Sequence, residues 1–184
     1  MEIGNLTEKE KGYLFGLFEG DGYKYHNKNS RHYHVEFYLN SEKDKEIISF
    51  LVKILIKIGL KPNLYQDKRY NCKRVRVYSK ELFNYLIKGS SLVDKGKDFS
   101  IGFISGIIDS EGHVDKAKSS IAVVNTDKQL LEKCRDLLEG LGIDAKINKR
   151  VLSLKDNKFS YRMYIPVSFK NKAHLSIKTK RLQS

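Results

Sequence analysis

The sequence predicts an α+β fold built from two copies of one helix-and-strand unit, and three observations lead to this prediction. A glycine-rich helical stretch at residues 12–22 recurs at residues 102–112, at a constant offset of ninety residues. After each copy, helix-like and strand-like hydrophobic periodicities follow in the same order. A polar stretch separates the two series. We therefore divide the chain into an N-terminal half at 1–89, a linker at 90–98 and a C-terminal half at 99–184.

Each repeated stretch predicts a helix with one flat face. Gly12 and Gly16 in the first copy correspond to Gly102 and Gly106 in the second. Small residues four positions apart lie on the same face of a helix, so two backbones can approach closely there. We therefore predict that the two motif helices pack against each other, side by side and parallel.

Each motif helix is followed by an acid and a glycine, Asp21–Gly22 in the first copy and Glu111–Gly112 in the second. Glycine is the residue expected just past a helix C-terminus. An acid at this end faces the negative end of the helix dipole, and parallel packing brings the two like charges together. Because a divalent cation with hard oxygen ligands offsets both penalties, the pattern indicates a metal site.

The first half continues with a polar loop, a strand and a helix. We predict the loop at residues 23–30 and, from the period-two alternation of apolar side chains, a half-buried strand at 33–39. Asn40 or Ser41 can cap the next helix, whose apolar residues recur at helical spacing over 47–58.

The remaining elements follow from the same two periodicities. In the first half they are strands at 60–65 and 74–78 and a short helix at 80–88. In the second half they are a strand at 121–124, a helix at 130–141 and strands at 145–150 and 161–165. The strand at 121–124 is apolar throughout, so the pattern does not assign its faces. The order predicted for each half is αββαββα.

Net charge points to a nucleic-acid partner. The chain has 35 basic and 22 acidic residues, which gives a net charge of +13. The charge is divided as +6 and +7 between the two halves, so a single basic tail is excluded. The lone cysteines lack zinc-site spacing. Without a signal peptide or a membrane-spanning run, we expect a soluble, intracellular protein of the cytoplasm or an organelle matrix, with no membrane partner.

The two motifs resemble those of the LAGLIDADG homing endonucleases, of the monomeric kind with both motifs in one chain. In the nine-letter motif of that family, residues 14–22 are the first copy and residues 104–112 the second. The resemblance implies two halves related by a pseudo-twofold axis, packed through the motif helices, with strands forming a DNA-binding saddle. It also implies a Mg²⁺-dependent, intron-encoded, site-specific double-strand DNA endonuclease that acts as a monomer on a long asymmetric target.

The resemblance also implies which residues bind metal. The family's metal-binding acid is the eighth letter, which makes Asp21 and Glu111 the catalytic residues. The carbonyl group just before each acid reaches the metal in the family, which here means Gly20 and Ser110. Mn²⁺ is expected to substitute for Mg²⁺, and Ca²⁺ to bind without turnover. Each acid would direct the cut of one DNA strand.

Polar side chains of the strands and nearby loops are the candidate DNA contacts. In the major groove, Arg and Lys side chains on strands can bind guanine, and Asn side chains can bind adenine. Cationic side chains in loops are better placed to contact phosphates. In the first half the candidates are Lys24, Lys28, Arg31, His32, His34, Glu36, Lys61, Asn63, Tyr65, Lys68, Arg69, Arg74 and Arg76. In the second half they are Lys116, Lys118, Lys146, Asn148, Lys149, Arg150, Arg162 and Tyr164.

One departure from the family leaves an alternative open. Family members often place a lysine or glutamine near the end of the first strand of each half, where this chain has Asn40 and Asn125. These amides could position water but supply no charge. The alternative is therefore a cleavage-impaired DNA-binding protein or an RNA-splicing maturase that binds intron RNA. A second rival is a basic structural protein without a site. Glu19 and Asp109, the sixth letters, are interpreted as helix-end hydrogen-bonding groups rather than ligands.

Overall fold

The structure, a computed structural model, describes most of the chain and confirms the α+β class. The described residues are 1–27, 29, 32–67, 69–88, 96–115, 120–151, 159–172 and 176–180. Within them lie two four-stranded antiparallel sheets, one in each half, and six α-helices. None of the helices in these ranges has both the length and the hydrophobicity needed to cross a bilayer.

The order αββαββα is confirmed in both halves, although the first strand of the first half lies where a loop was predicted. The first half consists of α1 (Glu8–Asp21), β1 (Gly22–Asn27), β2 (His32–Asn40), α2 (Lys45–Lys57), β3 (Asn63–Asp67), β4 (Cys72–Val77) and α3 (Lys80–Lys88). The second half consists of α4 (Gly96–Glu111), β5 (Gly112–Asp115), β6 (Ser120–Asn125), α5 (Lys128–Gly140), β7 (Lys146–Val151), β8 (Phe159–Pro166) and α6 (Ile177–Lys180). Short 3₁₀ turns lie at Ile3–Asn5 and Val167–Asn171.

The two sheets have equivalent topology. Their strand orders are β1-β2-β4-β3 and β5-β6-β8-β7. The glycine after each motif helix starts an edge strand, and Gly22 pairs with Phe37 as Gly112 pairs with Val123. Phe37 and Val123 are therefore equivalent positions, and both side chains are buried. This correspondence allows the two sheet faces to be compared residue by residue.

The motif helices α1 and α4 pack in parallel through their glycine faces, as predicted. A Cβ atom added at Gly12 would collide with the carbonyl oxygen of Phe99, and one at Gly16 with that of Phe103. Because both contacts move along the two helices in the same direction, the helices are parallel. A Cβ atom at Gly106 would collide with the backbone of α1. The two helices are thus in backbone contact, which only glycine permits at these positions.

The hydrophobic core lies between the sheets and the helices. In β2 the side chains of Val35, Phe37 and Leu39 are buried, which confirms the alternation read from the sequence. In β6 the register with β8 places Ile121 and Val123 opposite the buried side chains of that strand. The inward face of β6, which the sequence pattern did not assign, is therefore the face of these two residues.

The polar loop predicted at residues 23–30 is wrong, because Gly22–Asn27 forms strand β1. This strand pairs with β2 along its whole length, and it follows α1 without an intervening loop. Tyr23 and Tyr25 lie on one face of β1, and both are exposed. An edge strand whose side chains are aromatic or polar on both faces lacks the apolar alternation on which the prediction depended.

The predicted cap of α2 is also wrong. This helix begins at Lys45, and neither Asn40 nor Ser41 caps it. Instead, Asn40 Oδ1 accepts hydrogen bonds from the backbone N–H groups of Glu42 and Lys43, at 3.0 and 2.9 Å. The amide of Asn40 thus closes the turn between β2 and α2, a frequent role of this side chain.

Other boundaries also differ from the predicted ones, most of them by one or two residues. Helix α4 begins at Gly96, so it takes up the last residues of the predicted linker at 90–98. Strand β3 is Asn63–Asp67 rather than 60–65. The division of the chain into two halves and a linker stays a prediction.

Candidate functional site

The two predicted metal-binding acids lie at adjoining helix ends. Asp21 is the last residue of α1 and Glu111 the last residue of α4, and both side chains are half-buried. The helices meet here because Gly20 leaves room for the side chain of Ser110, which a Cβ atom at Gly20 would overlap. Parallel packing therefore delivers both carboxylates to one place.

The glycines that follow the acids are required, but not to end the helices in the left-handed conformation as predicted. Gly22 has φ −88°, so it does not take the left-handed conformation of a helix-ending glycine. A Cβ atom there would collide with the carbonyl oxygen of Phe18, and one at Gly112 would crowd that of Ile108. Both glycines allow the chain to pass directly from the helix into an edge strand, which fixes where each acid lies.

The two acids are electrostatically unfavourable neighbours. Burial, together with the charge of Glu111, raises the pKa of Asp21 to about 7. Burial also raises the pKa of Glu111. Ionising both carboxylates therefore costs free energy in the metal-free protein. A bound cation would remove this cost.

Lys178, from the C-terminal helix α6, lies beside the two acids. Its Nζ donates a hydrogen bond to the carbonyl oxygen of Ser110 at 3.1 Å. Although burial raises the pKa values of Asp21 and Glu111, the positive charge of Lys178 lowers both. The site thus contains two carboxylates and one ammonium group, and the cation uses a carbonyl that was predicted to bind metal.

Asp109 fixes the position of α6. Its carboxylate accepts hydrogen bonds from the backbone N–H groups of Ile177 and Lys178, both at 2.9 Å, and from the hydroxyl group of Ser176 at 2.8 Å. The hydroxyl group of Tyr13 on α1 donates a fourth, at 2.8 Å. Asp109 is fully buried, and burial raises its pKa against these hydrogen bonds. Its interpretation as a hydrogen-bonding group agrees with these contacts.

The donor set at the helix ends fits a hard divalent cation. It comprises the carboxylates of Asp21 and Glu111 and the carbonyl groups of Gly20 and Ser110, which lie in last helical turns where carbonyl oxygens lack intrahelical partners. Among the described residues, no three His, Cys, Asp or Glu side chains form a complete metal site. These groups would supply part of the coordination shell of such an ion, and Mg²⁺ commonly takes its other oxygens from water and phosphates.

The polar face of the first sheet is rich in arginine and tyrosine. Arg76 forms an ion pair with Glu36 and donates to the hydroxyl group of Tyr78 at 3.1 Å, and its guanidinium lies 5.0 Å from the ring centroid of Tyr65. Glu36 is only 2% exposed and also accepts from Tyr38. Burial opposes its ionisation, but the hydrogen bonds from Tyr38 and Arg76 outweigh burial and hold the pKa of Glu36 below its usual value. Glu36 therefore orders Arg76 and is itself covered.

The other candidates of the first half lie around this cluster. Arg74 pairs across the strands with Tyr38 and Tyr65, and Asn63 pairs with Arg76, so both belong to the same face. His34 is on this face too, stacked on Tyr25, with ring centroids 4.8 Å apart. The more peripheral candidates that the structure describes are exposed: Lys24 within β1, His32 at the start of β2, Lys61 before β3 and Arg69 in the β3–β4 turn.

The polar face of the second sheet is less crowded. Arg162 donates to the hydroxyl group of Tyr164 at 3.2 Å, and its Nε is buried without a hydrogen-bond partner among the described residues. Lys146 and Asn148 pair with Tyr164 and Arg162 and are exposed. At the position equivalent to Glu36, this sheet has Ala122.

Several candidates lie outside the described residues. These are Lys28, Arg31, Lys68, Lys116 and Lys118, and for Lys149 and Arg150 only the backbone, within β7, is described.

The two strand-end asparagines occupy different positions. Asn40 belongs to the polar face of β2, whereas Asn125 has the strand parity of Ile121 and Val123, which face the core. The side-chain oxygen of Asn125 accepts from the backbone N–H of Asp127 at 2.8 Å. Both amides thus hold turns, and their role in positioning water stays a prediction.

Sequence reasoning missed five residues of these surfaces: Tyr23, Tyr25, Tyr38, Tyr78 and Lys178. The tyrosines are 39–54% exposed and could have been found from cross-strand pairing once β1 was recognised. No signal in the sequence indicated Lys178, because its place depends on the docking of α6.

The fold and the site define a class of protein: one chain with two αββαββα repeats whose central helices present an acid each at a shared site. A family model described as a LAGLIDADG-like domain matches residues 8–87 and 98–181, and the chain belongs to this family. The resemblance read from the two motifs is thereby confirmed.

Proteins similar to this chain include a sequence relative and several solved structures. An uncharacterized protein of Methanocaldococcus jannaschii is 29% identical over an alignment of 191 positions that covers 94% of this chain and 69% of the relative. The homing endonuclease I-DmoI, in a crystal structure with DNA and Ca, is 25% identical with a TM-score of 0.68, over 92% of this chain and 90% of that one. Other I-DmoI structures contain DNA with Mg or Mn. DUF199/WhiA from Thermatoga maritima shares the fold alone, at 16% identity and a TM-score of 0.66, over 99% of this chain and 62% of that one.

Proposed function

We propose that this protein is a site-specific double-strand DNA endonuclease that depends on a divalent metal, with Mg²⁺ as the working ion. The observation that carries the proposal is the pair of half-buried acids, Asp21 and Glu111, at the ends of two helices in backbone contact. A packing arrangement that forces two like charges together is difficult to explain as structure alone, because each acid raises the cost of the other. The likeness to I-DmoI supports the same conclusion.

Asp21 and Glu111 are the metal-binding residues of this proposal, and the carbonyl groups of Gly20 and Ser110 are further ligands. When bound, Mg²⁺ supplies a hydroxide-like nucleophile and neutralises charge on the leaving oxygen. The protein's own part is to hold the two carboxylates at adjoining helix ends, partly shielded from water, where charges act more strongly than in bulk solvent. Mn²⁺ is expected to replace Mg²⁺, and Ca²⁺ to bind without turnover.

The two sheets are the proposed DNA-binding saddle. Their polar faces carry arginines, a lysine and asparagines, and the net charge of +13 favours a polyanion. A protein that neutralises many phosphates should lose affinity by about 10³ or more between low and physiological salt. Because the two faces differ in composition, the target should be asymmetric. One chain carries both acids, so a monomer suffices, as expected for an intron-encoded enzyme of this kind.

A second candidate function is binding without cleavage, by a cleavage-impaired DNA-binding protein or an RNA-splicing maturase. The observation that favours it is the cluster of exposed tyrosines around Arg74 and Arg76, because aromatic rings next to arginine also suit unpaired bases. The absence of a strand-end lysine points the same way. Intron RNA would then be the partner.

The experiment that decides is Mg²⁺-dependent cleavage of a randomised double-stranded DNA library by the wild type and by Asp21→Asn. We expect the wild type alone to cut one discrete, long, partly symmetric site, while the variant still binds the recovered DNA. Binding of DNA or RNA in Ca²⁺ without cleavage by either protein would replace the proposal with the second candidate. A flat salt response of binding would contradict both.

A further inference from the structure

A lysine occupies part of the proposed metal site. The Nζ atom of Lys178 lies 3.1 Å from the carbonyl oxygen of Ser110, and its charge acts on both Asp21 and Glu111. The ammonium group takes up one of the two lone pairs of this carbonyl oxygen and places a positive charge beside any ion bound at the other. The site therefore has a cation of its own, contributed by the protein.

The position of Lys178 is built into the fold. The preceding residues Ser176 and Ile177, and the backbone of Lys178 itself, are hydrogen-bonded to the buried carboxylate of Asp109. Asp109 is two residues before Glu111 on the same helix. The helix that carries one metal-binding acid thus also anchors the segment that carries the lysine, so a long flexible side chain is delivered to a fixed place.

The first half has no equivalent arrangement in the part of the chain that the structure describes. Glu19, which corresponds to Asp109, forms no hydrogen bond or ion pair there. The closing helix α3 contacts β2, whereas α6 contacts α4 and β5. A lysine anchored on one side only makes the two motif acids inequivalent.

We infer that Lys178, placed by its hydrogen bond to the Ser110 carbonyl, is the resident counter-ion of the acid pair and competes with the divalent metal for the negative charge of Asp21 and Glu111. The inference rests on the proposed function, because it assumes that the acid pair binds metal. Lys178 stabilises the metal-free site, where two carboxylates would otherwise repel each other. Its positive charge repels a divalent ion at the same acids, so it lowers metal affinity in the absence of nucleic acid.

The test is Ca²⁺ binding to the full chain without DNA, measured by isothermal titration calorimetry. Lys178→Met removes the ammonium group but keeps the length of the side chain. Lys172→Met is the matched control, because Lys172 also donates to a backbone carbonyl, that of Leu141 at 3.2 Å, and its removal changes the net charge equally. Ser176→Ala is a second variant, which loosens the attachment of α6 while every charge remains.

We expect Lys178→Met to bind Ca²⁺ about five- to tenfold more tightly than the wild type, because a positive charge a few ångströms from the ion is lost. Ser176→Ala should bind about twofold more tightly, since the lysine is then held less firmly. Lys172→Met should match the wild type. If Lys178→Met does not fold, Ser176→Ala tests the inference in its place, and tighter Ca²⁺ binding is again the expected result.

Unchanged or weaker Ca²⁺ binding by the Lys178 and Ser176 variants, beside a wild type that binds, would overturn the inference and leave the proposed function standing. Equal tightening by Lys172→Met would also overturn it, because the effect would then be one of net charge. If neither the wild type nor Lys178→Met binds Ca²⁺, the inference is overturned, because removal of the lysine then does not open the site, and the cleavage experiment with DNA decides the proposed function separately.

Discussion

The two halves of this protein share a backbone plan but differ in what surrounds their motif acids. Both halves pair the glycine after the motif helix with the same position of the next strand, and both use glycines to bring the helices into contact. Beyond this plan, α4 has near its end a buried acid, Asp109, to which helix α6 is attached, whereas the end of α1 has no equivalent attachment among the described residues. The shared part is what close backbone packing requires, and the differences lie outside the helix contact.

The sheet faces differ in the same way. The first sheet places an ion pair and exposed tyrosines where the second has Ala122 in place of Glu36 and one arginine beside Tyr164. A symmetric framework with unlike faces can hold two unlike half-sites of DNA. The comparison thus separates symmetric positions, which should respond equally to mutation, from asymmetric ones, which should not.

The largest effects should come from the symmetric helix contact. Gly16→Ala and Gly106→Ala should each destabilise the fold by about 3 kcal/mol or more, because the new Cβ atom overlaps the backbone of the partner helix. Gly140→Ala is the control: a Cβ atom added there, at the end of α5, would meet no atom of another element within 4 Å, and the variant should be neutral or stabilised by up to about 1 kcal/mol. Urea denaturation measures all three. A mild effect at only one of the two motif glycines would argue against an equal contact.

Asp109 and Glu19, the sixth residues of the two motifs, should respond unequally to mutation. Asp109→Asn should cost about 2–3 kcal/mol, because an amide cannot accept all four hydrogen bonds of the buried carboxylate. Glu19→Gln should change the free energy of unfolding by less than about 0.5 kcal/mol. Thermal unfolding compares the pair, and equal costs would contradict the one-sided attachment of α6.

The sheet faces provide a smaller contrast. Arg76→Ala should destabilise the protein by about 2 kcal/mol, because it leaves the buried charge of Glu36 without its ion-pair partner. Arg162→Ala should cost about 0.5 kcal/mol, since this arginine has no acid partner among the described residues. Denaturant melts of the two variants test the difference, while both should bind DNA more weakly. Equal stability losses would show that Glu36 does not depend on Arg76.

The smallest effect concerns the acids themselves. In EDTA, Asp21→Asn should stabilise the protein by about 1 kcal/mol, because one of two repelling half-buried carboxylates becomes neutral. Differential scanning calorimetry of wild type and variant, each with EDTA and with Mg²⁺, separates this gain from metal binding. Destabilisation in EDTA would mean that Asp21 has a structural partner.

The repeated framework could be predicted because its causes are local. Glycines four apart, an acid at each helix end and alternating apolar residues are patterns within a few positions, and they led to the helix pairing and to the order of elements along each half. Strand β1 was not predicted because its residues, such as Tyr23 and Tyr25, are aromatic or polar and lie at the edge of the sheet. The cap of α2 was predicted wrongly because an asparagine can either cap a helix or close a turn. In the structure, Asn40 closes the turn.

The site could be predicted only in part, because the rest depends on contacts between distant residues. Asp21 and Glu111 follow from the motif, whereas Lys178 reaches Ser110 across a separation of 68 residues and through the docking of α6. The burial of Glu36 likewise depends on a pairing with Arg76 that alternation alone does not reveal. Such tertiary contacts decide which polar residues are available to bind a ligand and which are engaged in hydrogen bonds or ion pairs within the protein.

The most direct test of the central claim, that the two helix ends form one metal-dependent cleavage centre, is strand-resolved cleavage of the recovered DNA site. The wild type, Asp21→Asn, Glu111→Gln and the control Glu19→Gln would be compared in Mg²⁺ and in Ca²⁺. We predict double-strand breaks by the wild type and the control in Mg²⁺ only, and a loss of about 10²-fold or more in double-strand cleavage for each acid variant. Undiminished double-strand cleavage by either acid variant, or a wild type that binds the site but never cuts it, would contradict the claim.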